Sequence, residues 1–330
     1  MSAEGARARP ASHVSLAGVR QLLMRAYEAG EAPDFGVGTQ KKWFKAIDEM
    51  LIDGCLEPAR FALTHLRERE PELDWPGNVL ELIDLMPADV TGSRFEDDRG
   101  KDVQIIPVAG SKAVVFVFCG RNHHMNLPLW LFDRWITRLD ASIVYLRDFD
   151  VVHFMGGIRS LGDREATLVA LRRIRDDLGA DRVFCLGNSS GGYGALAYGL
   201  DLKAEAVLNF GGPVNLEPEF NTYLNRADAA ETLRRRFPDL PLDLRAAYLA
   251  APRRPRSMLV YGEQCWDDRL QGEHMAGVPQ ADLAPVQGLA GHGSIRELIR
   301  RGRFVALLDA FTGGDDAEAE RSPMRLDRLG

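Results

Sequence analysis

Lysine is nearly missing from this 330-residue chain: Lys41, Lys42, Lys45, Lys101, Lys112 and Lys203 are six of 41 basic residues. Arginine therefore carries most positive charge as a compositional habit, and a lone arginine says little about binding. Long apolar runs are also absent. The longest, Ala113 to Cys119, falls far short of the ~18–20 residues that cross a bilayer, so no membrane span is expected. The start of the chain, Met1 to Pro10, is polar and arginine-bearing, with no apolar stretch of a secretory signal behind it. Cysteine is sparse. Cys55, Cys119, Cys185 and Cys265 form no Cys-x-x-Cys and have no histidine at zinc spacing, which excludes a disulfide framework or a zinc module. Three of them lie in or beside apolar runs, where a buried free thiol is the ordinary reading. Excess positive charge is lacking too: the net charge is −7 and the pI about 5.6, which argues against nucleic-acid binding. A cytoplasmic, reduced, globular protein is expected, because 45% of residues are hydrophobic and 27% charged.

Up to about residue 88 the pattern is helical. Val14 to Ala29, Lys41 to Ile52, Leu56 to Arg69 and the shorter Asn78 to Leu85 carry apolar residues at three- and four-residue intervals, punctuated by Gly30, Gly54 and Pro71. From Asp89 the pattern changes to strands alternating with helices. Val103–Val108, Ala113–Cys119, Ser142–Leu146, Arg182–Leu186, Ala206–Phe210 and Ser257–Tyr261 are short apolar or β-branched runs. Leu127–Leu139, Arg164–Leu178 and Gly191–Leu200 have helical periods. Apolar strands separated by amphipathic helices predict a mostly parallel sheet covered on both faces. The expected organisation is a small helical domain over residues 1–88, an α/β domain over 89–312 with a cap insertion at about 217–254, and a loose polar tail over 313–330.

The sharpest local feature is a strand, Arg182 to Leu186, then Gly187-Asn188-Ser189-Ser190-Gly191-Gly192, then a helix rich in small residues. A Gly-x-Ser-x-Gly turn in that context forces the serine into a strained conformation and holds its hydroxyl out above the sheet. It also aims the first N–H groups of the helix at the site. A phosphate-binding loop is the competing reading. No Gly-Lys-Ser/Thr follows, however, and no lysine lies between residues 113 and 202.

These residues resemble the nucleophile elbow of the α/β-hydrolase superfamily, and the resemblance extends over about residues 89–312. It implies an α/β-hydrolase fold, an ester- or amide-cleaving serine enzyme and no cofactor, with Ser189 as nucleophile and catalytic partners in the order Ser, Asp or Glu, His. His292, between Gly291 and Gly293 after a short last strand at Leu283 to Gln287, is the expected base. Pro285 limits that strand to a sheet edge. The acid is Asp267 or Asp268, because Cys265 occupies the place where many relatives carry it. Asp268 is preferred, since it stands before a helix-like Leu270 to Ala276 where a carboxylate is favoured. The resemblance further assigns the oxyanion hole to the N–H groups of Ser190 and Arg121. The loop Gly120 to Asn126 departs from the His-Gly-Gly-Gly form, and its His123 and His124 are expected to line the substrate rather than bind metal. His13, His65 and His153 are expected at the surface or in packing, and His274 on a helix.

Three functions compete. The first is a serine hydrolase acting on a small-molecule or glycan acyl substrate. The second is an acyltransferase that passes the same acyl group to a carbohydrate or glycoprotein acceptor, a class that the Ser-Ser-Gly-Gly-Tyr form of the elbow resembles. The third is an accessory protein on a hydrolase scaffold, with a protein partner held by the helical N-terminus. Within that helical segment, Trp43 to Pro71 resembles one tetratricopeptide hairpin; a plain helical cap on the main domain is the alternative.

Overall fold

The computed structural model describes residues 14–87, 95–220 and 229–313. The expected domain boundary at 88/89, the tail beyond 313, His13, and Tyr223 and Leu224 of the expected cap lie outside the described residues.

The first helices are α1 (Leu16–Ala29), α2 (Gln40–Ile52), α3 (Leu56–Arg69) and α4 (Asp74–Asp84). Ser15 and Thr39 cap α1 and α2 by accepting from the N–H of Gly18 and Lys42. Their apolar stripes close a core of Val19, Leu23, Trp43, Ile47, Met50, Ala59, Leu63, Leu66, Leu80 and Ile83. Helix α4 begins four residues earlier than its periodicity predicts, because Pro76 sits in its first turn, where no N–H is required. Among the described residues, 14–87 and Pro128–Leu131 make up one compact unit, and 95–127, 132–220 and 229–313 make up the other.

The second unit runs β1 (Val103–Ile106), β2 (Ala113–Phe118), α5 (Leu129–Ile136, its first turn in the helical unit), β3 (Ser142–Leu146), α6 (Arg164–Asp177) and β4 (Arg182–Asn188). It continues with α7 (Ser190–Asp201), β5 (Ala206–Phe210), α8 (Ala229–Arg236), α9 (Leu244–Ala250) and β6 (Arg256–Gly262). It ends with α10 (Trp266–His274), β7 (Ala281–Val286), α11 (Ser294–Arg300) and α12 (Phe304–Thr312). The seven strands lie in the order β1-β3-β2-β4-β5-β6-β7. All pairings are parallel except β1 with β3.

Strand β4 is therefore central and covered on both faces. Adjacent side chains on it point opposite ways: Phe184 stacks edge-on against Phe311 of α12, while Cys185 lies under Gly199 of α7. Strand β7, which contains Pro285, is an edge. The connection from β5 to β6 holds α8 and α9. Leu242, Leu244 and Tyr248 belong to the same buried cluster as α7, and the Tyr248 hydroxyl donates to Leu196 O at 3.1 Å. The apolar periods after Ser294 form two helices rather than one, because Gly302 turns left-handed at φ 68° between α11 and α12.

Candidate active site

The turn after β4 is as tight as its glycines allow. Ser189 has φ 52° and ψ −127°, a region that non-glycine residues occupy only under constraint, at a cost of ~1–3 kcal/mol. Its N–H donates to Phe210 O at 2.9 Å, and its carbonyl accepts from Gly192 N at 2.8 Å, which pins the serine from both sides. A methyl group on Gly191 would collide with the carbonyls of Phe118 and Cys119, so only glycine lets the elbow close onto the end of β2.

The acid follows β6 and the histidine follows β7. Asp268 lies in the first turn of α10, 1% exposed, and both its oxygens stand at 2.8 and 2.9 Å from His292 Nδ1. Burial raises the Asp268 pKa, and the hydrogen bond and charge of His292 oppose that rise. Helix α10 starts at Trp266, not at Leu270, so Asp267 and Asp268 are successive helical residues about 100° apart rather than neighbours on an extended loop. Asp267 is half-buried and faces elsewhere; Trp266 is exposed.

The corner Gly211-Gly212 after β5 holds these parts together. A Cβ on Gly211 would sit 2.8 Å from Asp268 Oδ2 and 2.9 Å from His292 Nδ1, and one on Gly212 would sit 2.7 Å from Ser189 O. Asn209 fixes that corner, with its amide oxygen accepting from Gly212 N at 2.7 Å and its nitrogen donating to Gly212 O at 3.1 Å. Sequence reasoning missed Asn209, which is 1% exposed; a polar residue inside an otherwise apolar strand was the available signal.

The loop after β2 lies on the other side of the serine. Gly120 N donates to His124 O and His123 N to Gly120 O, at 2.9 and 2.8 Å, curling the loop so that a Cβ on Gly120 would lie 3.3 Å from Ser189 Cβ. Among the described residues, neither the Ser190 nor the Arg121 N–H donates to a backbone carbonyl. His123 takes a left-handed φ of 63° and packs edge-on against Phe149. Burial lowers the pKa of both loop histidines, that of His124 to about 4. The Nδ1 atoms of His123 and His124 and the Oδ1 of Asn188 are buried without a hydrogen-bond partner. Among the described residues, no cluster of three or more metal-ligating side chains occurs.

His153 is in packing, the second of its two expected places. It is 8% exposed, edge-on to Tyr193, and its Nδ1 is buried without a partner. Burial lowers its pKa to about 4, opposed by a contact with the Ser190 backbone, with the Arg121 charge adding to the fall. Asp148 places it: that carboxylate accepts from the N–H of Asp150, Val152 and Phe154 at 3.1, 2.7 and 2.9 Å. The turn so pinned carries left-handed φ values at Val151, His153 and Phe154. Only the Asp at the end of β3 hinted at it.

Chemically, a carboxylate holds Nδ1 of an imidazole, and a serine is presented on a strained turn at the N-terminus of α7. That arrangement can move a proton from a hydroxyl and stabilise a developing oxyanion.

No protein-family model matches the chain, and no curated protein matches it. Among solved structures, esterase B of Lactobacillus rhamnosis is similar at 13% identity, covering 79% of this chain and 99% of its own, with a TM-score of 0.47. A capsule O-acetyltransferase of Neisseria meningitidis serogroup A is similar at 13% identity over 63% of this chain and 92% of its own, TM-score 0.45. An α/β-hydrolase enzyme from a Medee basin deep-sea metagenome library is similar at 13% identity over 65% and 94%, TM-score 0.43. In this chain's own sheet, one antiparallel edge strand, six parallel strands and a strand–turn–helix elbow on the central strand define an α/β-hydrolase fold.

Proposed function

We propose that this chain is a serine hydrolase that cleaves an ester through an acyl-enzyme on Ser189. Ser189 Oγ attacks the acyl carbon while its proton passes to Nε2 of His292. The bond to the alcohol breaks, the alcohol takes the proton from His292, and water then repeats the sequence to release the acid. Asp268 selects the tautomer of His292 and stabilises the imidazolium. The N–H groups of Ser190 and Arg121 hold the oxyanion.

The observation that carries this reading is Ser189 itself: a non-glycine residue held at φ 52°, on a turn whose neighbouring corner, Gly211-Gly212, lies against both the serine carbonyl and the His292–Asp268 pair. Strain of this kind persists where the surroundings over-determine it, as at sites of chemistry.

Intact-mass labelling with a fluorophosphonate tests it. One adduct is expected on the wild type and none on Ser189→Ala; labelling that survives in Ser189→Ala and vanishes in Ser190→Ala overturns the assignment. A panel of acyl esters with and without alcohol or sugar acceptors then separates hydrolysis from acyl transfer, since only a transferase makes an acceptor-dependent product. A correctly folded chain that never labels supports the accessory-protein reading.

A further inference from the structure

We propose that Arg296 gives this site a preference for acyl esters that carry an anionic oxygen group, a carboxylate or a phosphate. The inference rests on the acyl-enzyme reading above, because it names the charge of that same site's substrate.

Arginine is common in this chain, so its presence means little; its geometry is what matters. Arg296 lies four residues after His292, in the first turn of α11. Its guanidinium folds back over Gly293, next to His292, so closely that a Cβ there would lie 3.2 Å from Nη2 and 3.4 Å from Nε.

The neighbours behave differently. Arg300 and Arg301 both pair with Glu297, at 3.1 and 2.7 Å. Among the described residues Arg296 makes no hydrogen bond and no ion pair. The side chain as a whole stays exposed, but the head loses enough water for burial to lower its pKa.

The charge of Arg296 is felt across the site. It is the second cause, after burial, that holds His124 neutral. The start of α11 and the loop after β2 therefore lie within electrostatic range of each other. The first carries an unpaired cation, and the second carries two imidazoles whose Nδ1 atoms are buried without partners. Arg121 adds a second cation on the same loop, likewise without an ion pair among the described residues, and its charge reaches His153.

The carboxylates nearby are already engaged. Asp268 holds His292, and Asp148 holds three backbone N–H groups. A partly desolvated cation without a counter-ion is unfavourable, and an anion delivered by the substrate relieves it. The planar guanidinium fork matches the oxygens of a carboxylate or phosphate in pairs, which makes the preference one of geometry as well as charge.

The test begins with fluorophosphonate labelling of the wild type at Ser189; failure there overturns the acyl-enzyme reading itself. The labelling-competent enzyme is then assayed on two matched pairs of esters. One pair is 4-nitrophenyl butyrate against 4-nitrophenyl hemisuccinate, which charges the acyl side. The other is 1-butyrylglycerol against its 3-phosphate, which charges the leaving alcohol. In at least one pair the anionic member is expected to have a kcat/KM about 10-fold above its neutral twin at low salt, the gap closing towards parity at about 0.5 M salt.

The pair that responds identifies which side of the scissile bond meets Arg296. Arg296→Gln should remove the preference, mainly through KM, with activity on the neutral twin kept within about twofold. Arg296→Lys should keep part of it. Preference for the neutral twin in both pairs overturns the proposal. So does an anionic preference that survives Arg296→Gln or is indifferent to salt. If Arg296→Gln also loses the neutral ester, Arg296→Lys and the wild-type salt series decide between these outcomes.

Discussion

The two units of this chain are held together by different means. In the helical unit, described over residues 14–87, ends are capped, apolar stripes are buried, and every left-handed residue is a glycine. Among the described residues of the sheet unit, eight non-glycine residues take positive φ. Six of them, His123, Asn126, Val151, His153, Phe154 and Ser189, lie in the loops that leave the C-terminal ends of β2, β3 and β4. Strain is therefore not spread through the molecule but gathered at one end of one sheet, where open α/β sheets bind their ligands. A regular unit minimises local conflict; a unit that carries a strained serine turn and buried histidines at one end of its sheet accepts it.

Four experiments bear on that contrast. The largest effect is expected at the serine. Ser189→Gly should abolish fluorophosphonate labelling and, by relieving the strained φ, raise thermal stability by a net of about 1 kcal/mol after the entropic cost of glycine. A fall in stability would show that the turn is not strained.

Next comes the acid. Asp268→Asn should lower turnover on the order of 10⁴-fold, by analogy with the general triad case, while Asp267→Asn stays within a few-fold. Stability should move the other way. Because burial raises the Asp268 pKa, its ionised form weakens the folded state, so Asp268→Asn should have the higher Tm near pH 7. That advantage should shrink as pH falls through the raised pKa and Asp268 becomes neutral. An advantage that is the same from pH 4 to 8 would count against it.

The third compares glycines across the units. Gly191→Ala drives a methyl group into the backbone at the end of β2 and should cost about 3 kcal/mol in denaturant unfolding. Gly30, at φ 66° after α1, has open space around it, so Gly30→Ala should cost only about 1 kcal/mol. Equal costs would mean that the elbow yields as easily as a helix end.

The smallest effect concerns the buried imidazole. With its pKa lowered to about 4 from an ordinary 6.5, His153 takes up a proton more readily in the unfolded chain. Its contribution to stability is complete above pH 6.5 and is lost as pH falls towards 4. His153→Gln should flatten the stability–pH curve over that window, and an unchanged slope would place the dependence elsewhere.

Much of this architecture can be read directly along the chain. β3, β5 and α3 occupy the residues that their apolar patterns predict, because a continuous apolar run or a three-four period needs only its own sequence to declare itself. The elbow is legible for the same reason: its glycines, its serine and the strand before it are contiguous. The choice between Asp267 and Asp268 is not local. It depends on where α10 begins and on which of its faces β6 and β7 turn towards His292. His153 has no motif at all; Asp148 binds three N–H groups, bends the chain into left-handed conformations and so delivers the ring to Ser190. Asn209 and Gly211 matter because β5 lies beside both β4 and β6. Residues whose role is set by their own neighbours in sequence can be recognised one at a time, whereas those whose role is set by strand order and packing acquire it only when distant segments meet.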